Sequence, residues 1–464
     1  MLAATGAVVM VFLITYLIGS LKTFVGPSVI HLFGPIASWW TTILIGALTL
    51  TLVVVPAVAQ ESRSCEGPAP AASVSSQAYS AESYGPVTPD KLPPILSYLP
   101  DNKFTGWMNK ECIRFYGWLD GGYTYSTAGH GSLSIIDGRY GSAPAPNRFG
   151  DEFILNGAWF ILDRLPAEEG WSWGFRADFE TGTEAALFRP LNGFGPTNEH
   201  LGTDFRQLYF ALHAPILSKG GVDFQLGRQN VPIGYGSLMG PYRQLYSETY
   251  VWIFFQVVAT GATATWHATD RLDLLGGVLM NYNTDFILRG RAPSYIGKFT
   301  YQIGAARKTT IVATVYSGPQ PVPIVSAQLG SWQTVAEIHV THNWSRRVTQ
   351  IVQTEGSWDA DDLKVEKATA KTYGANTTTT LHLNKKLDLN ARGEWFRDEH
   401  GVRTGRPGTF SEVTVGVDLM PKSWMSFRPE VRGDFAAQPS YGRFGGGPHK
   451  PNEFTAAIDL LLKF

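Results

Sequence analysis

Apolar and polar residues alternate along the last eleven positions of the chain, FTAAIDLLLKF. Every second residue from Phe454 to Phe464 is apolar, and the residues between them are mostly polar or small. A period of two is typical of a β-strand, because successive side chains point to opposite faces. The pattern therefore predicts a terminal strand that ends on an aromatic residue. Such an end fits an outer-membrane barrel, where aromatic side chains gather at the lipid–water interfaces, and it fits an ordinary edge strand equally well.

Strand-like runs fill the chain from residue 112 to its end, and the connections between them are alternately short and long. The short connections are predicted at 165–170, 215–220, 268–271, 306–309, 343–347, 384–386 and 421–423. The long connections are predicted near 127–150, 188–203, 230–249, 284–294, 317–331, 359–370, 398–410 and 436–452. Seven short and eight long connections in strict alternation delimit sixteen strands. We therefore expect an all-β fold, a closed antiparallel transmembrane β-barrel over 112–464, with short turns on one side of the membrane and long loops on the other.

Charged side chains occupy one face of several predicted strands, and apolar side chains occupy the opposite face. In SWGFRADFETG, for example, Trp173, Phe175 and Phe179 alternate with the charged residues. A backbone that crosses lipid must satisfy all its hydrogen bonds, which requires a closed sheet, and a barrel of this size encloses water. The charged faces are therefore predicted to line the pore. The pore-lining candidates are Arg176, Asp178, Glu180, Asp388, Arg392, Glu394, Arg428, Glu430, Arg432 and Asp434.

The long connection at 230–250 is predicted to fold inward and to form the narrowest point of the pore. Its sequence, NVPIGYGSLMGPYRQLYSETY, is rich in glycine and in tyrosine, whose ring can pack while its hydroxyl stays hydrated. A position outside, over the barrel mouth, is the alternative. The run EFILNGAWFIL at 152–162 is apolar on both faces, so it packs either under an inserted loop or at a subunit contact. The constriction-loop candidates are Tyr235, Tyr242, Arg243, Tyr246 and Glu248.

The composition agrees with a surface that faces lipid. Charged residues make up 17% of the chain, below the roughly 25% of soluble domains, and aromatic residues make up 13%. A net charge of −1 gives no indication of a nucleic-acid partner. The two cysteines, Cys65 and Cys112, match no metal-ligand spacing. One disulfide between the N-terminal segment and the barrel, or two free thiols, are both compatible with the sequence.

Two apolar stretches, at 1–19 and about 35–59, open the chain. The second ends in Ala57-Val58-Ala59, an A-x-A cleavage motif behind an apolar core. We therefore expect a leader and signal peptide over 1–59, with a pair of inner-membrane helices as the alternative. The segment 60–111 is rich in proline, serine and alanine, and is expected to form a flexible linker ahead of the barrel.

The sequence contains no recognisable catalytic arrangement. No G-x-S-x-G motif occurs, and the glycines of GYGSLMG are wrongly spaced for one. His339 and His342 are three residues apart on a predicted strand, so their side chains point to opposite faces. Pore lining accounts for the rows of arginines and carboxylates more simply than acid–base catalysis. We expect neither an enzymatic activity nor a metal or cofactor.

Several stretches of the chain resemble the putative beta-barrel porin-2, OmpL-like family. FYGWLDGGYTYST, RFGDEFILNGAWFILDR and WGFRADFETGTE resemble its first three strands, and GRQNVPIGYG with LYSETY resembles its loop between the fifth and sixth strands. NGAW at 156–159 departs from the more usual Asn-Gln pair. The resemblance covers about 112–464 and implies a passive channel in the cell outer membrane for ions and small hydrophilic solutes. A non-conducting barrel with a structural or adhesive role through its external loops is the alternative.

The expected partners follow from this location. They are outer-membrane lipid, small hydrophilic solutes and the barrel assembly machinery, with a second copy of the chain as a further candidate. By resemblance to other outer-membrane proteins, Phe464 is expected to be the signal that the assembly machinery reads. The preferred solute or ion is not indicated.

Overall fold

The computed structural model describes residues 102–133, 146–188, 194–198, 200–253, 258–281, 286, 292–319, 331–360, 369–404, 407–437 and 451–464. The predicted leader at 1–59, Cys65 and most of the predicted linker at 60–111 lie outside the described residues. The end of that linker forms a helix, α1 (Lys103–Lys110), whose first turn is capped by the Asn102 side chain. The Cys112 sulfur that follows is disulfide-bonded.

Sixteen strands form one closed antiparallel barrel in the described part of the chain, which confirms the predicted fold. Each strand pairs with its neighbours in sequence, and the first pairs with the last. The strands are β1 (Arg114–Ser126), β2 (Glu152–Arg164), β3 (Ser172–Gly182), β4 (Gly202–Ala214), β5 (Val222–Asn230), β6 (Val258–His267), β7 (Leu272–Leu279), β8 (Ser294–Ile303), β9 (Thr309–Pro319), β10 (Trp332–Asn343), β11 (Val348–Ala360), β12 (Ala370–Asn384), β13 (Leu387–Asp398), β14 (Gly408–Lys422), β15 (Met425–Ala436) and β16 (Asn452–Lys463).

The seam between β1 and β16 closes the barrel at the last residue of the chain. The Phe464 amide donates to the Gly117 carbonyl at 3.0 Å, and the Gly117 amide donates back at 2.9 Å. The Phe464 ring lies 5.7 Å from the Phe160 ring, between centroids. A side chain at Gly117 would clash with the Trp159 carbonyl and touch the Phe464 ring. The terminal aromatic therefore sits on a position that has no room for a side chain.

Side chains alternate between a buried inner face and an exposed outer face, as the pleat requires. On β15, for example, Arg432 is 2% exposed, while the adjacent Val431 is 59% exposed. The same alternation places the apolar residues of the predicted outer face, such as Trp173 and Val413, on the exposed side. The exposed apolar band is the surface that lipid would cover.

The run 152–162, apolar on both faces, is β2, and the reason for its composition lies inside the barrel. Its pairing with β1 shifts register near Asn156, and beyond that point Trp159 and Ile161 face inward and are fully buried. Trp159 stacks on Trp118 of β1, with ring centroids 5.1 Å apart. On the other face Phe153 is 86% exposed. One apolar face thus meets a core inside the barrel, and the other faces outward.

The sequence placed most strand ends within a few residues of the observed ones, and the largest difference follows the fifth strand. Residue 250 was expected to begin the sixth strand, but Tyr250–Ile253 is a short helix, α3, and β6 begins at Val258. A second short helix, α2 (Thr183–Leu187), follows β3. Within the described ranges, no helix is both long enough and apolar enough to span a membrane.

Candidate functional site

The segment between β5 and β6, here called the inner loop (residues 231–253), makes contacts with the inner faces of strands on several sides of the barrel. The Tyr246 amide donates to Glu430 Oε2 on β15 at 2.8 Å. The Tyr250 amide donates to Glu394 Oε2 on β13 at 2.6 Å. The Tyr246 hydroxyl donates to Asn156 Oδ1 on β2 at 2.9 Å. Since these partners belong to the buried inner face, the inner loop lies within the barrel.

Hydrogen bonds within the inner loop fix its own shape. Ser237 Oγ accepts from the Met239 amide at 3.0 Å, and a 3₁₀ turn follows at Gly240–Tyr242. The Ser237 amide donates to Glu248 Oε1 at 2.9 Å, which ties the two halves of the loop together. Burial raises the pKa of the Glu248 carboxyl, although Arg392 opposes this rise. The loop is therefore a folded unit with its polar groups turned to one another.

Three arginines of the barrel wall donate to backbone carbonyls of the inner loop. Arg392 Nη1 donates to the Ser247 carbonyl, Arg428 Nη1 to the Gly240 carbonyl and Arg432 Nη1 to the Glu248 carbonyl, each at 2.6 Å. Each of these arginines also forms an ion pair with a wall carboxylate. The pairs are Arg392–Glu412, Arg428–Asp459 and Arg432–Asp434. The guanidinium groups thus connect the wall to the loop, and the wall carboxylates neutralise their charge.

The inner loop supplies one arginine of its own, Arg243, which is shared between two carboxylates. Its Nη2 lies 2.5 Å from Asp120 Oδ2 on β1, and its Nη1 lies 2.8 Å from Glu184 Oε1 on α2. Burial raises the pKa of Glu184 to about 8; Arg243 lowers it and Asp120 raises it further. Arg428 also lies 3.8 Å from Asp120 but is paired with Asp459, so two cations face three buried carboxylates and the cluster has a tendency to hold a proton.

Three glycines on the wall make room for side chains of the inner loop. A Cβ built at Gly122 of β1 would lie 2.5 Å from the Tyr246 hydroxyl. At Gly374 of β12 it would lie 2.1 Å from Val251 Cγ2, and at Gly416 of β14 it would lie 2.6 Å from Leu245 Cδ2. The loop therefore rests on three glycine seats, Gly122, Gly374 and Gly416, where any larger residue would displace it.

Apolar residues of the inner loop pack against apolar residues of the inner wall. The Phe188 and Trp252 rings meet edge to face with centroids 5.3 Å apart, and the Tyr250 and Phe396 rings stack at 5.9 Å. This cluster explains why β2 is apolar on its inner face. It includes Trp118, Trp159, Ile161, Val231, Ile233, Leu238, Met239, Val251 and Leu461.

The inner wall divides into two arcs of different chemistry. All arginines within the barrel strands described lie on β1–β5, β13 and β15, so we call β13–β16 with β1–β5 the Arg-bearing arc. The seven consecutive strands β6–β12 contain no arginine and form the Arg-free arc. Most of the polar contacts of the inner loop with the wall are made with the first arc. A small cavity lies between part of the loop and the second arc, with Gln353, Asn376 and Thr378 on the wall side and Tyr235, Gln244 and Thr249 on the loop side, and Arg392 of β13 also lines it. Elsewhere the loop contacts the second arc, since the Tyr235 and His339 rings lie 5.8 Å apart and Thr314 Oγ1 donates to the Pro232 carbonyl at 3.5 Å.

All ten pore-lining candidates lie on the inner side, but nine of them are buried in ion pairs or in bonds to the inner loop. Arg176 pairs with Asp178 at 2.7 Å, and Glu180 pairs with Arg206 at 2.5 Å. Asp388, the partly exposed one, pairs with His382 at 2.9 Å. Whether a passing solute meets these side chains stays a prediction. The remaining six are Arg392, Glu394, Arg428, Glu430, Arg432 and Asp434, described above.

The constriction-loop candidates all belong to the inner loop, and four of them make polar contacts described above or below. The Tyr235 hydroxyl accepts from Gln244 Nε2 at 2.6 Å. Tyr242 ends the 3₁₀ turn and packs at the edge of the apolar cluster. That these residues restrict the passage of solutes stays a prediction.

Several residues of this network were not singled out from the sequence. Asp120, Glu184, Arg206, Arg228 and Asp459 are each at most 1% exposed. Arg228 Nη1 donates to Asp204 Oδ1 at 3.0 Å across neighbouring strands. Their alternation with apolar residues was a usable signal for their inward orientation. Their ion-pair partners could not be predicted from the sequence, because Arg243 and Asp120, for example, are separated by 123 positions.

No group of three or more His, Cys, Asp or Glu side chains in the ranges described could hold a metal ion. Two of the histidines lie instead in a chain of hydrogen bonds with aspartates at the short-turn ends of β4–β7, where the two arcs meet. Asp223 bridges His213 and His267 at 2.6 and 2.7 Å, and His267 also meets Asp273 at 2.8 Å. His339, considered above as a ligand, pairs with Glu337 at 2.7 Å.

A sequence model of the putative beta-barrel porin-2, OmpL-like family matches residues 112–464, the whole of the barrel. The chain belongs to this family. The matched region and the closed barrel make the protein an outer-membrane porin, a channel for solutes. Family and fold imply a channel rather than an enzyme. No curated protein matches the sequence.

Solved structures with a similar fold include other porins. The anion-selective porin from Comamonas acidovorans superposes with a TM-score of 0.53 at 10% identity, covering 76% of this chain and 99% of that one. OprB of Pseudomonas putida, in its high-pH structure, gives 0.50 at 8% identity, covering 78% and 96%. The outer-membrane channel DcaP of Acinetobacter baumannii gives 0.48 at 9% identity, covering 76% and 97%. At such identities the likeness concerns the fold alone.

Proposed function

We propose that this porin is a passive diffusion channel for ions and small hydrophilic solutes, and that its aqueous path runs between the inner loop and the Arg-free arc. The observation that carries the proposal is the asymmetry of the inner loop. The loop makes most of its polar contacts with the Arg-bearing arc, and a cavity lined by amide and hydroxyl side chains lies between it and part of the other arc. Polar side chains around an open space suit hydrated solutes that need no specific binding site.

The inner loop is the constriction in this proposal. Contacts to β1, β2, β13 and β15 hold its backbone, so its position does not depend on a bound solute. The charged rows predicted to line the pore then have a mainly structural part, because they hold the loop. The side chains at the narrow point are Tyr235, Gln244 and Thr249 on one side and Gln353, Asn376 and Thr378 on the other.

Single-channel recording in planar lipid bilayers tests both statements. The wild-type protein is compared with a variant that lacks 236–244 and carries Asp120→Asn and Glu184→Gln. The two substitutions remove the carboxylates that would otherwise lose Arg243 as their partner. We expect discrete conductance from the wild type, and a larger conductance with passage of larger solutes from the variant.

The control is the folded, heat-modifiable fraction of each protein in detergent, since a misfolded variant also leaks. A folded wild-type protein with no conductance would favour a structural or adhesive barrel instead. Unchanged conductance in the folded deletion variant would place the constriction elsewhere.

The expected partners in assembly belong to the same proposal. Phe464 closes the seam with Gly117, and the apolar residues of β16 face outward with it, which supports recognition of this end by the barrel assembly machinery. Deletion of Phe464 should lower the folded fraction in the outer membrane, and an unchanged fraction would contradict the idea. Lipid covers the exposed apolar band in this proposal. Assembly with further copies of the chain is tested by cross-linking in native membranes.

A further inference from the structure

Charge is balanced locally on the Arg-bearing arc. Asp204 pairs with Arg228, Glu180 with Arg206 and Asp459 with Arg428, and all six side chains are at most 2% exposed. Carboxylates of this arc without an arginine partner accept hydrogen bonds from backbone N–H groups instead. Glu394 and Glu430 accept such bonds from the inner loop. Single atoms such as Glu180 Oε1 and Glu184 Oε2 lack a hydrogen-bond partner on this side too, but both carboxylates face an arginine, Arg206 and Arg243 respectively.

The inner face of β10 and β11 is different. Four polar side chains there have buried atoms without a hydrogen-bond partner; they are Gln333, Glu337, Gln353 and Glu355, here called the β10–β11 strip. The amide nitrogen and oxygen of Gln333 both lack a partner, although the residue is 1% exposed. Buried polar groups in proteins are nearly always bonded to protein or to water. Four open groups on two adjacent strands therefore indicate that something polar occupies the space in front of them.

Two members of the strip are carboxylates that face each other. Glu337 and Glu355 are direct partners in the antiparallel register of β10 and β11. Side chains at such positions have Cβ atoms about 4.5–5.5 Å apart, and like charges there repel. Oε2 of Glu337 and Oε2 of Glu355 are both buried without a donor. The only bond to either carboxylate among the described residues joins Glu337 Oε1 to His339 Nδ1.

The nearest cationic side chains do not neutralise this pair. Lys298 of β8 lies two strands from Glu337 and interacts with it and with Asp273 only at a distance. Arg403 is engaged by Asp359 at 3.0 Å. Glu355 thus has no ion pair within the structure described.

Gln353 connects the strip to the cavity beside the inner loop. It is 2% exposed, it borders the cavity beside the inner loop, and it lies two residues before Glu355 on the same face. Its Oε1 accepts from Asn376 at 3.3 Å, while its Nε2 has no partner. A buried amide donor without a partner, on the same face as two open carboxylates, matches a hydrated ion better than a dry core.

We propose that Glu337 and Glu355 form a cation subsite in the solute path, so that the channel prefers small hydrated cations over anions. Two carboxylates supply the oxygen ligands that such cations take. The Gln353 amide donates a hydrogen bond to a water molecule in the hydration shell of the bound cation. This inference rests on the proposed channel function and adds its ion class.

The experiment is the reversal potential in a KCl gradient across a planar bilayer, from which the K⁺/Cl⁻ permeability ratio follows. The proteins are the wild type, Glu355→Gln, Glu337→Gln/Glu355→Gln, and Glu168→Gln as a control. Glu168 is exposed on the short turn between β2 and β3, so its loss removes one charge outside the pore. We expect a ratio above one for the wild type, about threefold lower for each pore carboxylate removed, and unchanged in the control. Millimolar Mg²⁺ should reduce the K⁺ current of the wild type but not that of the double variant.

The outcomes separate this inference from the channel proposal. A wild-type protein that does not conduct overturns the channel and this inference with it. A conducting wild type that prefers Cl⁻, or a Glu355→Gln variant with an unchanged ratio, overturns the cation subsite alone; the latter result would mean that a shared proton already neutralises the pair. Glu355 accepts no hydrogen bond from the residues that the structure describes, so the single variant keeps the test decisive even if the double variant folds poorly.

Discussion

The Arg-bearing arc and the Arg-free arc share the same strand backbone, the same alternation of buried and exposed residues and the same antiparallel pairing. Their inner faces nevertheless have different roles. On the first arc, buried ion pairs are complete, and they hold the inner loop by its carbonyl and amide groups. On the second arc, the carboxylates of Glu337 and Glu355 face each other without an arginine, and the neighbouring Gln353 lines a cavity. The comparison shows that an inward charged residue in a barrel can be a structural support or part of the solute path. Only the partner of its side chain distinguishes the two.

The largest effect is expected from Arg428→Met on the Arg-bearing arc. The substitution leaves Asp459 buried without its ion pair and frees the carbonyls of Gly240 and Arg243. Breaking a buried pair from one side costs about 3–5 kcal/mol. The urea-unfolding midpoint in lipid vesicles should fall accordingly and recover partly in Arg428→Met/Asp459→Asn. Lys298→Met on the Arg-free arc should cost about 1 kcal/mol or less. Equal losses of stability from Arg428→Met and Lys298→Met would contradict the distinction between the two arcs.

A charge on the outer face should be equally harmful in both arcs, because lipid meets both alike. Val431→Arg on β15 and Ile338→Arg on β10 place an arginine at positions that are 59% and 47% exposed. Each should cost about 2–4 kcal/mol near the bilayer midplane, measured by the same urea unfolding. A tolerated arginine at either position would mean that this part of the outer face does not contact lipid.

Neutralising one carboxylate in each arc should change the free energy of unfolding differently in the two arcs. Glu394 accepts the Tyr250 and Val251 amides, so Glu394→Gln should destabilise the barrel by about 1.5–3 kcal/mol. Glu355→Gln should leave the free energy of unfolding unchanged or raise it, because an unpaired buried carboxylate disappears. A large loss from Glu355→Gln would reveal a structural partner for Glu355.

The last comparison concerns pH and Glu184. Its pKa is raised from 4.5 to about 8 in the folded protein, chiefly by burial. The folded state therefore binds this proton more tightly than the unfolded chain, and stability should fall as the pH rises from 4.5 to 8. Glu184→Gln should flatten this part of the profile, seen as urea midpoints at pH 5, 6.5 and 8. An equal slope in wild type and variant would assign the proton to another group.

The strand ladder was readable from the sequence because alternation and connection length are local properties. The ends of β6–β7 and β12–β13, for example, match the expected turns at 268–271 and 384–386 within a residue. The inward direction of Arg428 and Glu430 followed from the same period of two. Even the absence of arginine from seven consecutive strands is visible in the sequence, although its meaning appears only once the strands are closed into a barrel.

What the sequence could not show is which charges are neutralised. The Arg428 bond to Gly240 spans 188 positions, and the bond of the Tyr246 amide to Glu430 spans 184. Such pairs form because barrel closure brings distant strands around one loop, and nothing near either residue specifies the other. The helix at Tyr250–Ile253 was missed for a similar reason, since YVWI has the composition of a strand and its Tyr250 and Val251 amides are held by Glu394.

The glycine seats set an order of events in folding. Gly122 lies on the first strand, whereas Gly374 and Gly416 lie on the twelfth and fourteenth, so Leu245, Tyr246 and Val251 cannot all settle before most of the wall exists. Contacts between positions so far apart in the chain form late and slowly. During that interval the apolar side of the segment has no wall to cover it. The barrel therefore has to assemble around a loop that is among its last parts to dock.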